Sequence, residues 1–281
     1  MARKSKEIQK YEQPSAPPVS VASEEVRAEL EVQSQVLLAK KFPRDPGKAK
    51  DKILETCKRK RFADKALYSY PRGGAQITGP SINLAREMAV QYGNILTGMM
   101  IISDDEETRT IRGIAWDIEN NVRVFFDDTF KKLIYRKDRG WIKPDERDLR
   151  ELTNRRGAIL IRNAILHLFP SDFVDEAVET CLKTQTRSPV SQRKIDKLVE
   201  AFARVGVSRI MLEDYVRKSL GDLSPDEYAN LINLGQAIKD GAVQRDEIFN
   251  QGGNEPEVKV EFKVEEKLFE ENKVKEEKEN G

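Results

Sequence analysis

The feature that most constrains the fold is a group of three strand-like runs in the middle of the chain. "ILTGMMIIS" begins at residue 95, "TRTIRGIAWDI" at residue 108 and "VRVFFDDTF" at residue 122. Only the short polar turns "DDEE" and "ENN" separate them, and turns of this length join neighbouring antiparallel strands. The three runs therefore predict an antiparallel sheet, which must bury one face against other elements of the chain.

A long helix follows these strands, and a hairpin precedes them. Residues 145–168 begin with acidic side chains, end before Pro170 and are apolar on nearly every side in their second half, which predicts a helix inside the core. Upstream, "ALYSYP" and "AQIT" predict a hairpin through "RGG", followed by a helix that starts at Pro80 and stops at Gly93. We therefore predict an α+β fold, in which a three-stranded antiparallel sheet and an N-terminal hairpin pack on a long central helix.

Composition divides the chain into four parts. Residues 1–22 are polar and contain three prolines, which predicts a disordered arm, and residues 23–187 form the core. A linker, "QTRSPV" at 185–190, leads into residues 188–245, which we expect to form a small independent module of three short helices. Residues 246–281 are rich in charge and predict an acidic, disordered tail.

The rare residue types exclude several kinds of site. Cys57 and Cys181 are far apart in sequence, so neither a disulfide framework nor a zinc site is expected. The single histidine, His167, is expected to be a core or edge residue with satisfied hydrogen bonds. The first residues lack the apolar core of a signal peptide, and no apolar run approaches the ~18 residues that span a membrane. We expect a cytoplasmic protein that holds no metal or other cofactor.

The glycine-rich stretch at residues 73–81, "GGAQITGPS", raises the question of nucleotide binding. A phosphate-binding P-loop needs GxxxxGK[ST], in which the lysine reaches the terminal phosphates. This stretch has no lysine, and Pro80 lacks the amide that could hold an anion, so we predict no NTP hydrolysis here. Two interpretations stay open. The stretch is either a hairpin turn with a helix cap, or a helix start at which Ser81 and Arg72 bind one backbone phosphate.

Charge is distributed unevenly along the chain, although its net value is only +1. Residues 41–72 carry eleven Lys or Arg against four acids, and residues 131–162 carry eleven against five. Residues 246–281 carry twelve acids against six lysines, so this tail could mimic nucleic acid or bind a partner. The two basic zones are interleaved with Tyr68, Tyr70, Phe125, Phe126, Tyr135 and Trp141. Such zones suit a nucleic-acid groove, because cations hold phosphates and a stacked base contributes about 1–3 kcal/mol. Alternatively, they are solvated helix faces beside core aromatic residues.

Basic residues also lie within the long helix. Arg155 and Arg162 nearly superimpose on a helical wheel, and Arg156 is adjacent. A charge in a largely apolar helix must be paired or must reach a solvated groove. Either Arg162 pairs with a core carboxylate, or the three arginines face DNA.

Three segments carry a family resemblance, which covers roughly residues 45–185. "YSYPRGGAQITGPSINLAREMAVQYGN", "GIAWDIENNVR" and "ELTNRRGAILIRNAIL" resemble a group encoded among phage recombination genes. The order of hairpin, helix, sheet and long helix is similar to that of the phage single-strand annealing recombination proteins of the RecT, Redβ, Erf and Sak kinds.

The resemblance implies a function without enzymatic activity. Such proteins bind single-stranded DNA and anneal complementary strands without ATP during phage homologous recombination, in the host bacterial cytoplasm. It further implies a homo-oligomeric ring or filament that also holds the annealed duplex. The C-terminal region would contact an exonuclease or a single-strand-binding protein.

Under this hypothesis two walls of a groove hold DNA. One wall would bind phosphates through Lys131, Lys132, Arg136, Lys137, Arg139, Arg155, Arg156 and Arg162. The other wall, or a duplex-binding surface, would consist of Lys58, Arg59, Lys60, Arg61 and Arg72. The candidates for base stacking are Tyr135 and Trp141.

Two alternatives belong to other functional classes. A metal-dependent nuclease of phage recombination would use acids on neighbouring strands and a lysine, here Asp117, Asp127, Asp128 and Lys131. A non-enzymatic phage structural or adaptor protein would instead use the basic zones to bind an acidic protein.

Overall fold

The secondary structure alternates between helices and short antiparallel strand groups. A computed structural model describes residues 21–136 and 139–249. The helices are α1 (Val21–Lys41), α2 (Pro46–Cys57), α3 (Lys60–Ala66), α4 (Ile82–Tyr92), α5 (Glu146–Leu166), α6 (Ser171–Thr186), α7 (Gln192–Ala203), α8 (Arg209–Val216), α9 (Pro225–Asp240) and α10 (Arg245–Phe249). The strands are β1 (Leu67–Arg72), β2 (Ala75–Pro80), β3 (Ile95–Asp104), β4 (Thr108–Asp117), β5 (Val122–Lys131), β6 (Ile134–Arg136) and β7 (Gly140–Ile142).

The central sheet has the strand order β3-β4-β5, and both pairings are antiparallel. Gly113 on β4 lies opposite Met99 on β3 and Phe126 on β5. These residues share the face that packs on α5, because neighbouring residues of a strand point to opposite faces. The predicted α+β fold, with this sheet packed on the long helix, is confirmed.

The long helix α5 approaches the sheet closely at two glycines. A methyl group on Gly113 would come within 2.4 Å of Leu160 Cβ, and one on Gly157 would meet the sulfur of Met99. The second half of α5, residues 157–166, has no exposed residue and lies between the sheet and other helices, as expected of a helix inside the core, whereas its first half is largely exposed. The apolar residues of its second half are shared between the sheet and the helices behind it, and several stay partly exposed.

The glycine-rich stretch forms a hairpin turn and a helix cap. Gly73 and Gly74 have φ values of 57° and 80°, which a tight turn between β1 and β2 requires. Ser81 caps α4: its Oγ accepts a hydrogen bond from the Asn83 N–H at 3.1 Å and donates one to the Lys65 carbonyl at 2.6 Å. Because Ser81 is fully buried, its hydroxyl cannot reach a phosphate, and that interpretation is wrong.

The segment after β5 is a second hairpin rather than the expected loop. β6 pairs with β7, with Ile134 opposite Ile142 and Tyr135 opposite Trp141. Three-residue strands are too short to show the alternation that identifies longer ones. The sequence therefore gave no strand signal here.

The C-terminal helices extend beyond the predicted module. α10 crosses the expected boundary between residues 245 and 246, and Ile248 within it is buried. The rest of the predicted tail, residues 250–281, lies outside the described residues. Residues 1–20 of the predicted arm also lie outside the described residues. Residues 21 and 22 already belong to α1, so the predicted end of the arm is two residues too late.

The C-terminal helices are packed against the core, in contrast to the independent module that the sequence suggested. Tyr68 and Tyr70 on β1 pack against their apolar cluster. Gln185 on α6 and Asn233 on α9 are both buried and exchange hydrogen bonds of 2.8 and 3.1 Å. Gln185 also donates to the Ala63 carbonyl at 2.8 Å, so the predicted linker begins inside a buried helix.

Candidate nucleic-acid interface

Two basic residues of the first predicted wall, Lys132 and Arg136, form ion pairs with acids from other parts of the fold. Lys132 Nζ lies 2.6 Å from an Asp104 oxygen, and its side chain is only 15% exposed. Arg136 binds Asp148 at 2.5 Å. These carboxylates compete with phosphate for the same cations. Lys132 is largely buried in its pair, whereas Arg136 is 46% exposed and stays a prediction for contact with DNA.

Arg156 is likewise part of the packing between α5 and the sheet. Its guanidinium makes two hydrogen bonds to Asp128, at 2.6 and 3.0 Å, and lies 4.9 Å from the centre of the Phe130 ring. A planar, bidentate pair of this kind fixes the side chain. Arg156 is therefore a structural residue, and we remove it from the candidate interface.

Arg155 and Arg162 lie on the side of α5 that faces the C-terminal helices. Arg155 is exposed, but its aliphatic stem lies against Gly241, which has no room for a Cβ there. Arg162 lies 4.9 Å over the Tyr68 ring and donates to Asn163 Oδ1. Arg162 makes no ion pair in the described residues. Its guanidinium lies over an aromatic face, and its charge acts on the partly buried Asp240 carboxyl, whose pKa stays raised because burial outweighs that attraction.

Several other candidates of the first wall are exposed. Tyr135 and Trp141 on the β6–β7 hairpin are 47% and 57% exposed, with their rings edge-to-face at 5.6 Å. Lys131 and Arg139 are exposed near the two ends of this hairpin. Lys137 lies outside the described residues. These positions stay predictions for contact with nucleic acid.

In the second predicted wall, three of the five cations are paired. Lys58 binds Glu55 at 2.5 Å, Arg59 lies 3.5 Å from Glu87, and Lys60 binds Asp64 at 2.6 Å. Lys60 also donates to the Gln185 carbonyl at 3.1 Å. Arg72 is exposed at the tip of the β1–β2 hairpin.

Arg61 belongs to a different environment, an open cleft of about 470 Å³ between α3 and α4. We call this the α3–α4 cleft. Its lining residues are Arg61, Phe62, Lys65, Asn83, Arg86, Glu87 and Val90. Arg61, Lys65 and Arg86 are exposed, and none of them has an ion pair among the described residues. The single acid, Glu87, is beside Arg59.

Helical spacing places the cleft's cations. Arg61 and Lys65 are four residues apart on α3, and Asn83 and Arg86 are three apart on α4, so each pair shares one helix face. Asn83 Nδ2 donates to the Lys65 carbonyl at 3.1 Å, and Ser81 donates to the same oxygen. These bonds join the first turn of α4 to the end of α3 and thereby fix the cleft's width at one end.

The chemistry of the cleft suits an elongated anion with apolar parts. Three cations and one amide line a surface that also includes Phe62 and Val90, the latter 72% exposed. Polynucleotide backbones present phosphates at regular intervals, and their bases present flat apolar faces. Sequence reasoning selected Arg61 but missed Lys65, Asn83 and Arg86. One signal was available, because Arg86 has no acid three or four residues away that could neutralise it.

The acids of the nuclease alternative do not converge. Asp127 and Asp128 are adjacent in β5 and therefore point to opposite faces of the sheet, where Arg112 binds one at 2.7 Å and Arg156 the other. Within residues 21–136 and 139–249, no group of three Asp, Glu, His or Cys side chains is arranged to hold a metal ion.

Asp117, the remaining acid of that alternative, belongs to a buried network around Arg44. The Arg44 guanidinium binds Asp117 and donates from Nε to Glu119 at 3.0 Å, and its side chain is only 4% exposed. Burial alone would raise the pKa of Asp117, but hydrogen bonds from Arg44 and Asn120 outweigh it and lower the pKa below its ordinary value. The network anchors the end of α1 to the β4–β5 turn.

His167 agrees with the expectation of a satisfied edge residue. Its Nδ1 lies 2.9 Å from the Asn163 carbonyl oxygen, and its ring packs edge-to-face against Phe126 with centres 5.0 Å apart. Cys57 and Cys181 are both buried and are not joined by a disulfide.

Comparison with known proteins adds no relative to this picture. A scan of family models, a search of curated proteins and a search of solved structures each returned no match to this chain. None of the helices within the described residues is long and apolar enough to cross a bilayer.

Proposed function

We propose that this protein binds single-stranded nucleic acid in the α3–α4 cleft and anneals complementary strands without ATP. The observation that carries the proposal is the presence of three exposed cations, Arg61, Lys65 and Arg86, that form no ion pair among the described residues. Ten of the other basic residues of the two zones form ion pairs in the described structure, and the cleft brings three cations without an ion pair together on two neighbouring helices.

An annealing protein must hold the backbone and leave base edges free to pair. Cations on two helix faces hold the backbone. Because they contact phosphates and not base edges, they leave the bases free to pair. The chain also lacks the lysine-containing loop of an NTPase, and annealing requires no hydrolysis. The resemblance of residues 45–185 to phage annealing proteins agrees with this function.

The direct test follows two complementary labelled oligonucleotides as they form duplex. Purified protein is added without ATP, and a protein-free reaction runs in parallel. We expect faster duplex formation together with slowly migrating protein–DNA complexes. If neither binding nor acceleration occurs at low salt, the proposal is wrong, and the cleft is better assigned to an acidic protein partner. Strand cleavage in the presence of Mg²⁺ or Mn²⁺ would instead favour the nuclease.

A further inference from the structure

Two apolar surfaces of this chain are left without a partner in the described structure. The first is the N-terminal half of α1, where every side chain from Val26 to Ser34 is exposed. Val26 and Leu30 are 55% and 57% exposed, and Leu37 further along the helix is 70% exposed. Spacings of four and seven residues place these three on one face of the helix.

The exposed half of α1 gains little stability from packing against its own chain. Most of the stability of a helix in a protein comes from packing of its apolar face, and this part of α1 has no such packing within its own chain. The C-terminal end of α1 is anchored, since Ala39 is buried and Lys40 Nζ donates to the Glu119 carbonyl at 2.5 Å. The exposed apolar face of α1 therefore extends from a helix end that is fixed to the rest of the chain.

The second surface is the face of the central sheet that points away from α5, which we call the outer face. Leu96 and Met100 on β3 and Phe125 on β5 share it, and they are 37%, 44% and 51% exposed. Arg112 lies 4.3 Å over the Phe125 ring, so this apolar surface is bordered by charge. These three side chains belong to none of the buried clusters of the described structure.

The two surfaces are opposite in charge, and the exposed part of the helix is short enough to lie on the sheet. Residues 24–31 of α1 carry four glutamates and one arginine. Strand alternation places Arg112, Arg123 and Lys131 on the outer face against the single acid Asp127. The exposed apolar face from Val26 to Leu37 is about 18 Å long, so it fits within the roughly 33 Å that a ten-residue strand spans.

We propose that α1 of one copy packs on the outer face of the next copy. Exposure of both surfaces within one chain means that α1 does not cover its own sheet. A contact between two different patches is heterologous, and repetition of it generates a ring or an open filament. The contact requires no nucleic acid, so it stands or fails separately from the proposed function.

Mixing two variants, each of which lacks one side of the contact, tests the arrangement. Leu30→Glu removes the helix side of the contact, and Phe125→Glu removes the sheet side. Ile210→Glu on α8 is the matched control, since Ile210 is also an exposed apolar residue, at 69%. Molar masses are measured by light scattering during gel filtration without DNA, and circular dichroism checks that each variant is folded. Val26→Glu and Met100→Glu replace any variant that fails to fold.

The expected masses are specific to a heterologous contact. Wild type and Ile210→Glu form multimers, and each of the two interface variants alone is a monomer. An equimolar mixture of Leu30→Glu and Phe125→Glu forms a species of two chains, because one intact helix side meets one intact sheet side. A monomeric wild type would refute the proposal. Association of Phe125→Glu alone would mean that α1 pairs with another α1, and association of Leu30→Glu alone would mean that sheets pair; either outcome also refutes it.

Discussion

The salt dependence of single-strand binding tests the α3–α4 cleft quantitatively. Arg61→Ala with Lys65→Ala removes two cations from one face of α3, and both side chains are exposed, so the fold should be retained. For single strands, each phosphate contact contributes about 0.7 to the slope of log affinity against log salt concentration. The double substitution should therefore reduce the slope by about 1.4. Over a fourfold increase in salt, wild type should lose about sevenfold more affinity than the variant does.

A matched pair of cations on another helix provides the control. Arg193 and Lys197 on α7 are also four residues apart and exposed, and neither has an ion pair among the described residues. Fluorescence anisotropy with a labelled oligonucleotide, titrated at several salt concentrations, gives the slope for each protein. We expect the α7 double substitution to leave the slope unchanged. Adding Arg86→Ala to the α3 substitutions should bring the reduction to about 2.1.

Two results would refute this reasoning. If the α3 substitutions leave the slope of wild type unchanged, those side chains do not contact phosphate. If the α7 substitutions reduce the slope by the same amount as the α3 substitutions, binding follows overall charge rather than the cleft.

The remaining predictions concern stability. Arg44→Ala leaves two carboxylates without their buried partner, so urea unfolding should show a loss of about 3–5 kcal/mol, and a loss below 1 kcal/mol would contradict the network's role. Gly113→Ala should lower the free energy of unfolding by about 1–3 kcal/mol because its methyl group overlaps α5, whereas Gly98→Ala, which meets nothing within 4 Å, should be close to neutral. Lys218 and the α9 cap lower the pKa of Glu227 to about 2. This carboxylate therefore stabilises the fold above the unfolded pKa of about 4.3, and the contribution disappears as the pH falls towards 2. Thermal melts from pH 6 to pH 2 should accordingly show a shallower decline for Glu227→Gln than for wild type.

The sheet could be predicted from the sequence because its signals are local. Three long runs of strand character, joined by short polar turns, specify neighbouring antiparallel strands without reference to distant residues. The start of α4 was predicted two residues too early, at Pro80, because Ser81 and not a residue before the proline caps the helix. The β6–β7 hairpin could not be predicted, since three residues per strand leave no periodic pattern.

The distribution of free charge could not be predicted, because it depends on tertiary contacts. Lys132 and Arg156 each meet a carboxylate 28 residues away in sequence, at Asp104 and Asp128, and a helical wheel gives no sign of either. The cleft cations come from two helices whose relative position is set by packing and by the Ser81 cap. Counting charges identified a basic zone around Arg61 but could not tell which of its members were already neutralised.

The position of the β1–β2 hairpin has a consequence for how the chain acquires its structure during synthesis. Tyr68 and Tyr70 are covered by helices that end at Phe249, so the hairpin leaves the ribosome well before its cover exists. At about 5–20 residues per second, this interval is roughly 10–30 seconds. During that time the tyrosine face is open to water and to other nascent chains. The buried amide pair of Gln185 and Asn233 then closes only when α9 arrives, which couples completion of the packing around the hairpin to a helix that is synthesised much later.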